Sequence, residues 1–137
     1  MDKEKILAVM NEKSCGFNKH NGITVADFSE AGCTVEGKLT PEAKNPLGMA
    51  HGGFIYSLCD AAAGIAAFLA GRPGVTLSSD MHFLHPSGGE ALRCEGRVIK
   101  KGAHVVVVET KVFDDSGTVT ATGLFEMFVT AQEGKKA

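Results

Sequence analysis

From Gly52 to Gly71 the chain runs twenty residues with a single formal charge, Asp60. The segment is rich in Ala and Leu, which form helix well, and it is closed by Gly71 and Pro73. It therefore reads as one helix over Phe54–Leu69, apolar almost all the way round. A membrane span needs about 20 predominantly apolar residues, so length alone makes it a candidate. The central Asp60 and the alternating segments that follow favour a core helix instead, and such a helix has to be wrapped by other structure.

The remainder supplies the wrapping. Val75–Leu84, Ala91–Ile99, Val105–Phe113 and Val119–Thr130 are strand-like runs of about 9–12 residues, longer than the common strand of about 5–6. Pro86-Ser87-Gly88-Gly89, Lys101-Gly102-Ala103 and Asp114-Asp115-Ser116-Gly117 lie between them as hairpin turns. Upstream, Ile23–Phe28 and Cys33–Leu39 are two shorter strands, the second with one wet face. Thr40–Ala50 is a loop, Gly16–His20 a break, and Asp2–Lys13 a short amphipathic helix with Ile6, Val9 and Met10 on one side. The tail Glu133–Ala137 is expected to fray.

With 137 residues the chain makes one domain, 1–137. Its 14 Lys and Arg against 16 Asp and Glu leave a net charge of −2, which offers no basic face to nucleic acid or to an anionic membrane. The mixed charges of Met1-Asp2-Lys3-Glu4-Lys5 are not those of a signal peptide. Cys15, Cys33, Cys59 and Cys94 form no C-x-x-C pair, so free thiols in a reducing cytoplasm are expected. The order of helix, two strands, long buried helix and four strands gives an α+β chain. Its curved antiparallel sheet wraps one long central helix, the arrangement of the hotdog fold.

Asp60 is the first candidate for chemistry, because a lone carboxylate on an apolar helix is costly to bury. The plain alternative is that it bonds a backbone group or a surface residue. Gly52-Gly53 opens the helix, where free N–H groups and the helix dipole can hold a developing oxyanion; a tight turn would use the same pair. Gly53 and Asp60 are seven residues apart, two turns and about 10 Å along the axis. One small carbonyl cannot touch both within a chain. Two antiparallel helices related by a two-fold axis would bring Gly53 of one beside Asp60 of the other.

Asn45, then His51-Gly52-Gly53 six to eight residues on, then Asp60 nine after the histidine, resembles the acyl-CoA thioesterases of the hotdog superfamily, of the phenylacetate-degradation (PaaI-like) type. Phe83-Leu84-His85-Pro86 is similar to the family's F-L-x-P strand end, and the resemblance runs from about Ile23 to Thr130. It implies hydrolysis of an acyl-CoA by a dimer or dimer of dimers, a homotetramer, without metal or bound cofactor. Asp60 would be base or nucleophile, Gly53 and Gly52 would hold the carbonyl oxygen, and Asn45 and His51 would orient the carbonyl or the water. Thr76 would position that water, although Ser78-Ser79-Asp80 departs from the usual alternation beside it.

Phe54, Phe68, Met81 and Phe83 are expected along an acyl chain, or else in the core. Lys101 and His104, with Arg97 and Lys100, either meet the phosphates of coenzyme A or form a solvated turn. Arg72 suits the helix dipole or the same phosphates. His82 and His85, three apart on a strand, face opposite ways and make no chelating pair. Two other readings stand beside hydrolysis. A hotdog hydratase or dehydratase would carry G-D-x-N-P-x-H, whereas Asn45-Pro46 lacks the preceding Gly-Asp. A non-catalytic acyl-CoA-binding module would need no Asp60.

Overall fold

The computed structural model describes residues 2–132 and 135–136. Three α-helices, α1 (Lys3–Glu12), α2 (Gly16–His20) and α3 (Gly52–Leu69), accompany β1 (Ile23–Ser29), β2 (Gly32–Lys38), β3 (Gly74–Phe83), β4 (Ala91–Lys101), β5 (Val105–Phe113) and β6 (Val119–Val129). A 3-10 turn, Pro41–Ala43, breaks the long loop before α3. Of the expected frayed tail, residues 133, 134 and 137 lie outside the described residues, and Lys135–Lys136 pairs with Ala131–Gln132.

All six long strands form one antiparallel sheet in the order β1-β2-β4-β5-β6-β3. The expected hairpin at Pro86–Gly89 is therefore absent. β3 pairs with β6 at the far edge, and the segment after it crosses the sheet to reach β4. Ser87 anchors that crossover, its carbonyl accepting from the Ala50 N–H at 2.8 Å. The expected break at Gly16–His20 is also a short helix. Asn21 closes it by donating from both its N–H and Nδ2 to the Phe17 carbonyl, and Gly22, at φ 66°, turns the chain into β1.

α3 lies across the concave face. Phe54, Ile55, Leu58, Cys59, Ala62, Ala63, Ala66 and Ala67 are buried against Val35, Leu92, Cys94, Val106, Val108 and Phe125. Two strand glycines let the helix come this close. A Cβ at Gly96 would stand 3.0 Å from the Ala62 carbonyl oxygen, and one at Gly37 would stand 2.7 Å from the tip of the Phe54 ring. By length and composition α3 could cross a membrane; here its inner face is spent on the sheet.

The sequence reading makes this helix wrapped all round, but in one chain it is covered on one side only. Tyr56, Ser57, Asp60, Ala61, Gly64, Ile65 and Phe68 are half-buried or exposed, Phe68 at 61%. The neighbouring edge strand β3 is likewise uncovered, with Val75, Leu77 and Phe83 all more than half exposed.

Candidate active site

Asp60 is half-buried on the uncovered face of α3, and Thr76 Oγ1 donates to its Oδ1. That contact depends on an irregularity in β3. The register against β6 shifts between Thr76 and Ser78, so Leu77 is an extra residue in the edge strand. Simple alternation would turn Thr76 and Ser79 to opposite faces. With the bulge both side chains reach α3: Thr76 meets Asp60, and the Ser79 hydroxyl meets Tyr56 Oη.

A cleft of about 680 Å³ opens beside the carboxylate, walled by Asp60, Thr76, Tyr56, Phe17, Ile65 and Met127. Its wall is largely apolar, so the Asp60 carboxylate held by Thr76 borders a space suited to a hydrocarbon group.

The second cluster sits at the N-terminus of α3. Gly53 does not present a free N–H: it donates to His51 Nδ1 at 2.8 Å, so the imidazole caps the helix. In the neutral ring this places the proton on Nε2. The Gly52 N–H has no acceptor among the described residues and opens on a separate cavity of about 380 Å³ with Asn45, Phe83 and His85. Asn45 is partly committed. Its Oδ1 accepts from the N–H groups of Leu47 at 2.9 Å and Met49 at 3.1 Å, which shapes the loop and leaves Nδ2 as the group to offer a ligand.

Asp60 and Thr76 thus line one cleft, Asn45 and Gly52 another, and His51 and Gly53 a third of about 290 Å³. The sequence joins Asp60 to Gly53 only across two chains, and within one chain the structure keeps these six residues in three places.

The remaining expectations divide. Phe83 lies beside Gly52, where a Cβ would meet its ring at 3.8 Å. Met81 is half-buried and packs on the core. Phe54 is 7% exposed with its ring over Gly37, and it borders the cleft that holds His51 and Gly53. Lys101 and His104 are exposed at the β4–β5 hairpin and line neither the Asp60 nor the Asn45 cleft. Lys101 shares a cross-strand row with Val106, Met127 and Thr76, so about 14 Å of sheet separates it from Thr76.

Arg97 is engaged by Glu109 at 3.4 Å, and Arg72 donates to the Gly71 and Gly102 carbonyls, tying the helix exit to the hairpin. His82 stands by Asp80 at 3.5 Å. His85 lies past the end of β3, not on it, with Nδ1 2.8 Å from the Pro86 carbonyl oxygen.

All four cysteines are free, and three are buried. Burial pushes the Cys33 thiol up to about 12. Cys94 is raised well above the ordinary thiol value by the Cys59 sulfur, 3.7 Å away, and then by burial. No group of three or more His, Cys, Asp or Glu among the described residues is arranged to hold a metal ion. Sequence reasoning missed Tyr56, Ser79 and Phe17. Tyr56 carries a signal that was there to read: it is the single tyrosine, four residues before Asp60 and hence on its face of the helix.

The family model of the thioesterase superfamily matches residues 47–121. Among solved structures, a Streptococcus mutans protein bound to acetyl-CoA is 29% identical, over 81% of this chain and 90% of that one, with a TM-score of 0.77. A hypothetical thioesterase of Streptococcus pneumoniae, with coenzyme A, is 27% identical over 81% and 90%, TM-score 0.76. That streptococcal protein has also been solved with an Asp-to-Ala and with a Thr-to-Ala substitution. The two positions are 16 residues apart, the separation of Asp60 and Thr76 here. The Escherichia coli PaaI protein of the phenylacetic acid degradation operon, 20% identical over 96% of both chains, shares the fold at a TM-score of 0.85.

Proposed function

The chain belongs to the thioesterase superfamily, and from that premise we propose that it hydrolyses an acyl-CoA thioester to a free carboxylic acid and coenzyme A. The observation that carries the site assignment is the Thr76 hydroxyl on Asp60 Oδ1, beside an apolar-walled cleft. Thr76 orients the carboxylate and leaves Oδ2 to take a proton from water, which attacks the thioester carbon. The carbonyl oxygen becomes an oxyanion, and the carbon–sulfur bond then breaks to release the thiolate. The oxyanion falls to donors at the start of α3, where the Gly52 N–H and Asn45 Nδ2 border one cavity. Gly53 acts there indirectly, fixed by the His51 cap. The step uses the carboxylate and water alone, with no metal or cofactor.

The two halves of this machinery lie about two helical turns apart on α3, so we assign each site to two chains. The uncovered faces of α3 and β3 support a homodimer built through them, or a dimer of dimers, a homotetramer. The phosphates of coenzyme A are assigned to Lys101 and His104, which are exposed and have no carboxylate partner among the described residues. Phe83 and Met81 would flank the acyl group. The free thiols support a reducing, cytoplasmic setting.

Asp60→Asn keeps the size and the contact with Thr76 but cannot accept the proton. We expect kcat to fall about 10²–10⁴-fold across a panel of short, medium, long and aryl acyl-CoAs, with binding retained. Wild-type turnover in this variant would remove Asp60 from the chemistry. Binding without turnover in the unaltered protein would instead make it an acyl-CoA-binding module.

A further inference from the structure

We propose that Tyr56, held by Ser79, is a positioning residue that keeps Thr76 on the Asp60 carboxylate; this rests on the reading of Asp60 and Thr76 given above. Among the described residues two side-chain hydrogen bonds join α3 to β3, Tyr56 Oη with Ser79 Oγ and Thr76 Oγ1 to Asp60 Oδ1. They are two rungs of one ladder. Tyr56 and Asp60 are four apart on the helix, one turn or about 6 Å. Thr76 and Ser79 are three apart on the strand and reach the same helix only because of the extra residue Leu77 between them.

The strand carrying both hydroxyls is an edge. Within one chain and among the described residues, β3 has β6 on one side and no strand on the other, and its residues are largely exposed. A bulged edge strand can slip or flatten, and flattening would turn Thr76 or Ser79 outward. The Tyr56–Ser79 rung opposes that movement from the far side of the bulge.

The Tyr56 ring is itself well seated. It packs edge-to-face on Phe125, with centroids 5.7 Å apart and planes at 74°. Phe125 is fully buried and directly paired with Ser79 across the sheet. The hydroxyl is thus delivered to Ser79 by an exposed ring braced on the core through Phe125, while the same ring borders the Asp60 cleft. Such a contact is suited to holding a catalytic angle, where misplacement by about 1 Å can cost about 10²-fold.

The test is kinetic, on the full chain, with whichever acyl-CoA the unaltered protein hydrolyses. Tyr56→Phe keeps the ring and removes the hydroxyl. We expect kcat to drop roughly tenfold with KM within about twofold, a pattern that a merely structural loss corrected for folded protein does not give. Ser79→Ala breaks the same bond from the other end and should match it; Ser79→Thr, which retains a hydroxyl, should recover most of the loss. Because Tyr56 acts through Thr76, adding Tyr56→Phe to Thr76→Ala should cost nothing further. Unchanged kcat in both Tyr56→Phe and Ser79→Ala overturns the proposal, as does a full tenfold further loss in the Thr76→Ala background. A change confined to KM also overturns it, because Tyr56 would then be a substrate contact. If Asp60→Asn remained active, the reading of the site would fail instead, whatever Tyr56 did.

Discussion

At the scale of single residues, the cysteines separate by environment rather than by spacing. Cys15 is the exposed one, and it borders the Asp60 cleft. Cys33 and Cys94 are sealed in the core with their thiols raised by burial and, for Cys94, first by the Cys59 sulfur. The Cys59 thiol is lowered by its contact with Cys94 but is fully buried, so access leaves Cys15 as the thiol that should react quickly. Titration with a chromogenic disulfide should count one fast thiol in the folded protein and four in denaturant. A bulky maleimide on Cys15 should also lower kcat/KM, an effect absent from Cys15→Ser. Two or more fast thiols before unfolding would show the core to be open. Residue identities made Asp60 legible in the sequence, because a lone charge on an apolar helix stands out. The His51 cap was not legible: Gly52 and Gly53 are identical in sequence, and only the imidazole decides which N–H is left for a ligand.

At the scale of elements, helix and strand positions follow from composition and period. The predicted strands and the long helix agree with the structure to within about two residues at each end. What the pattern does not carry is the bulge at Leu77, since one added residue changes no local propensity yet reverses which side chains face the helix. Nor does it carry how near two elements approach. Gly96 is the place where α3 rests on β4. The atoms a Cβ would meet there are the backbone carbonyl and Cβ of Ala62, which belong to a buried helix and cannot rotate away. Gly96→Ala should therefore destabilise by about 1–3 kcal/mol through overpacking. In a melt this is a fall of roughly 3–10 °C. The displaced helix carries Asp60, so kcat should fall as well. An unchanged melting temperature would mean that α3 shifts on the sheet at no cost.

At the scale of the whole molecule, the strand order was the least legible feature. Consecutive strands are usually neighbours, and that rule places β3 beside β4. The chain instead sends β3 to the outer edge, and an antiparallel partner leaves no mark in local alternation. This placement gives the molecule an exposed side formed by β3 and the outer face of α3, and it leaves the carboxylate in a cleft apart from the Gly52 N–H and Asn45. If Asp60 of one chain faces Gly52 of another, the two-fold axis passes near Tyr56, midway along the helix segment that joins the two. Complementation tests the arrangement. Asp60→Asn removes the base. Gly52→Val fills the cavity beside Asn45; its Cβ meets only the Phe83 ring, at 3.8 Å, so the chain should still fold. Each variant alone should be nearly inactive. Co-refolded in equal amounts, half of the dimers are mixed, and each mixed dimer holds one site with both an intact Asp60 and an intact Gly52. About a quarter of wild-type activity should return. A mixture no more active than its parents, with mixed dimers verified by mass, would place both halves of the site in one chain. So would a fully active monomer by light scattering at the assay concentration, and the uncovered face would then need another occupant.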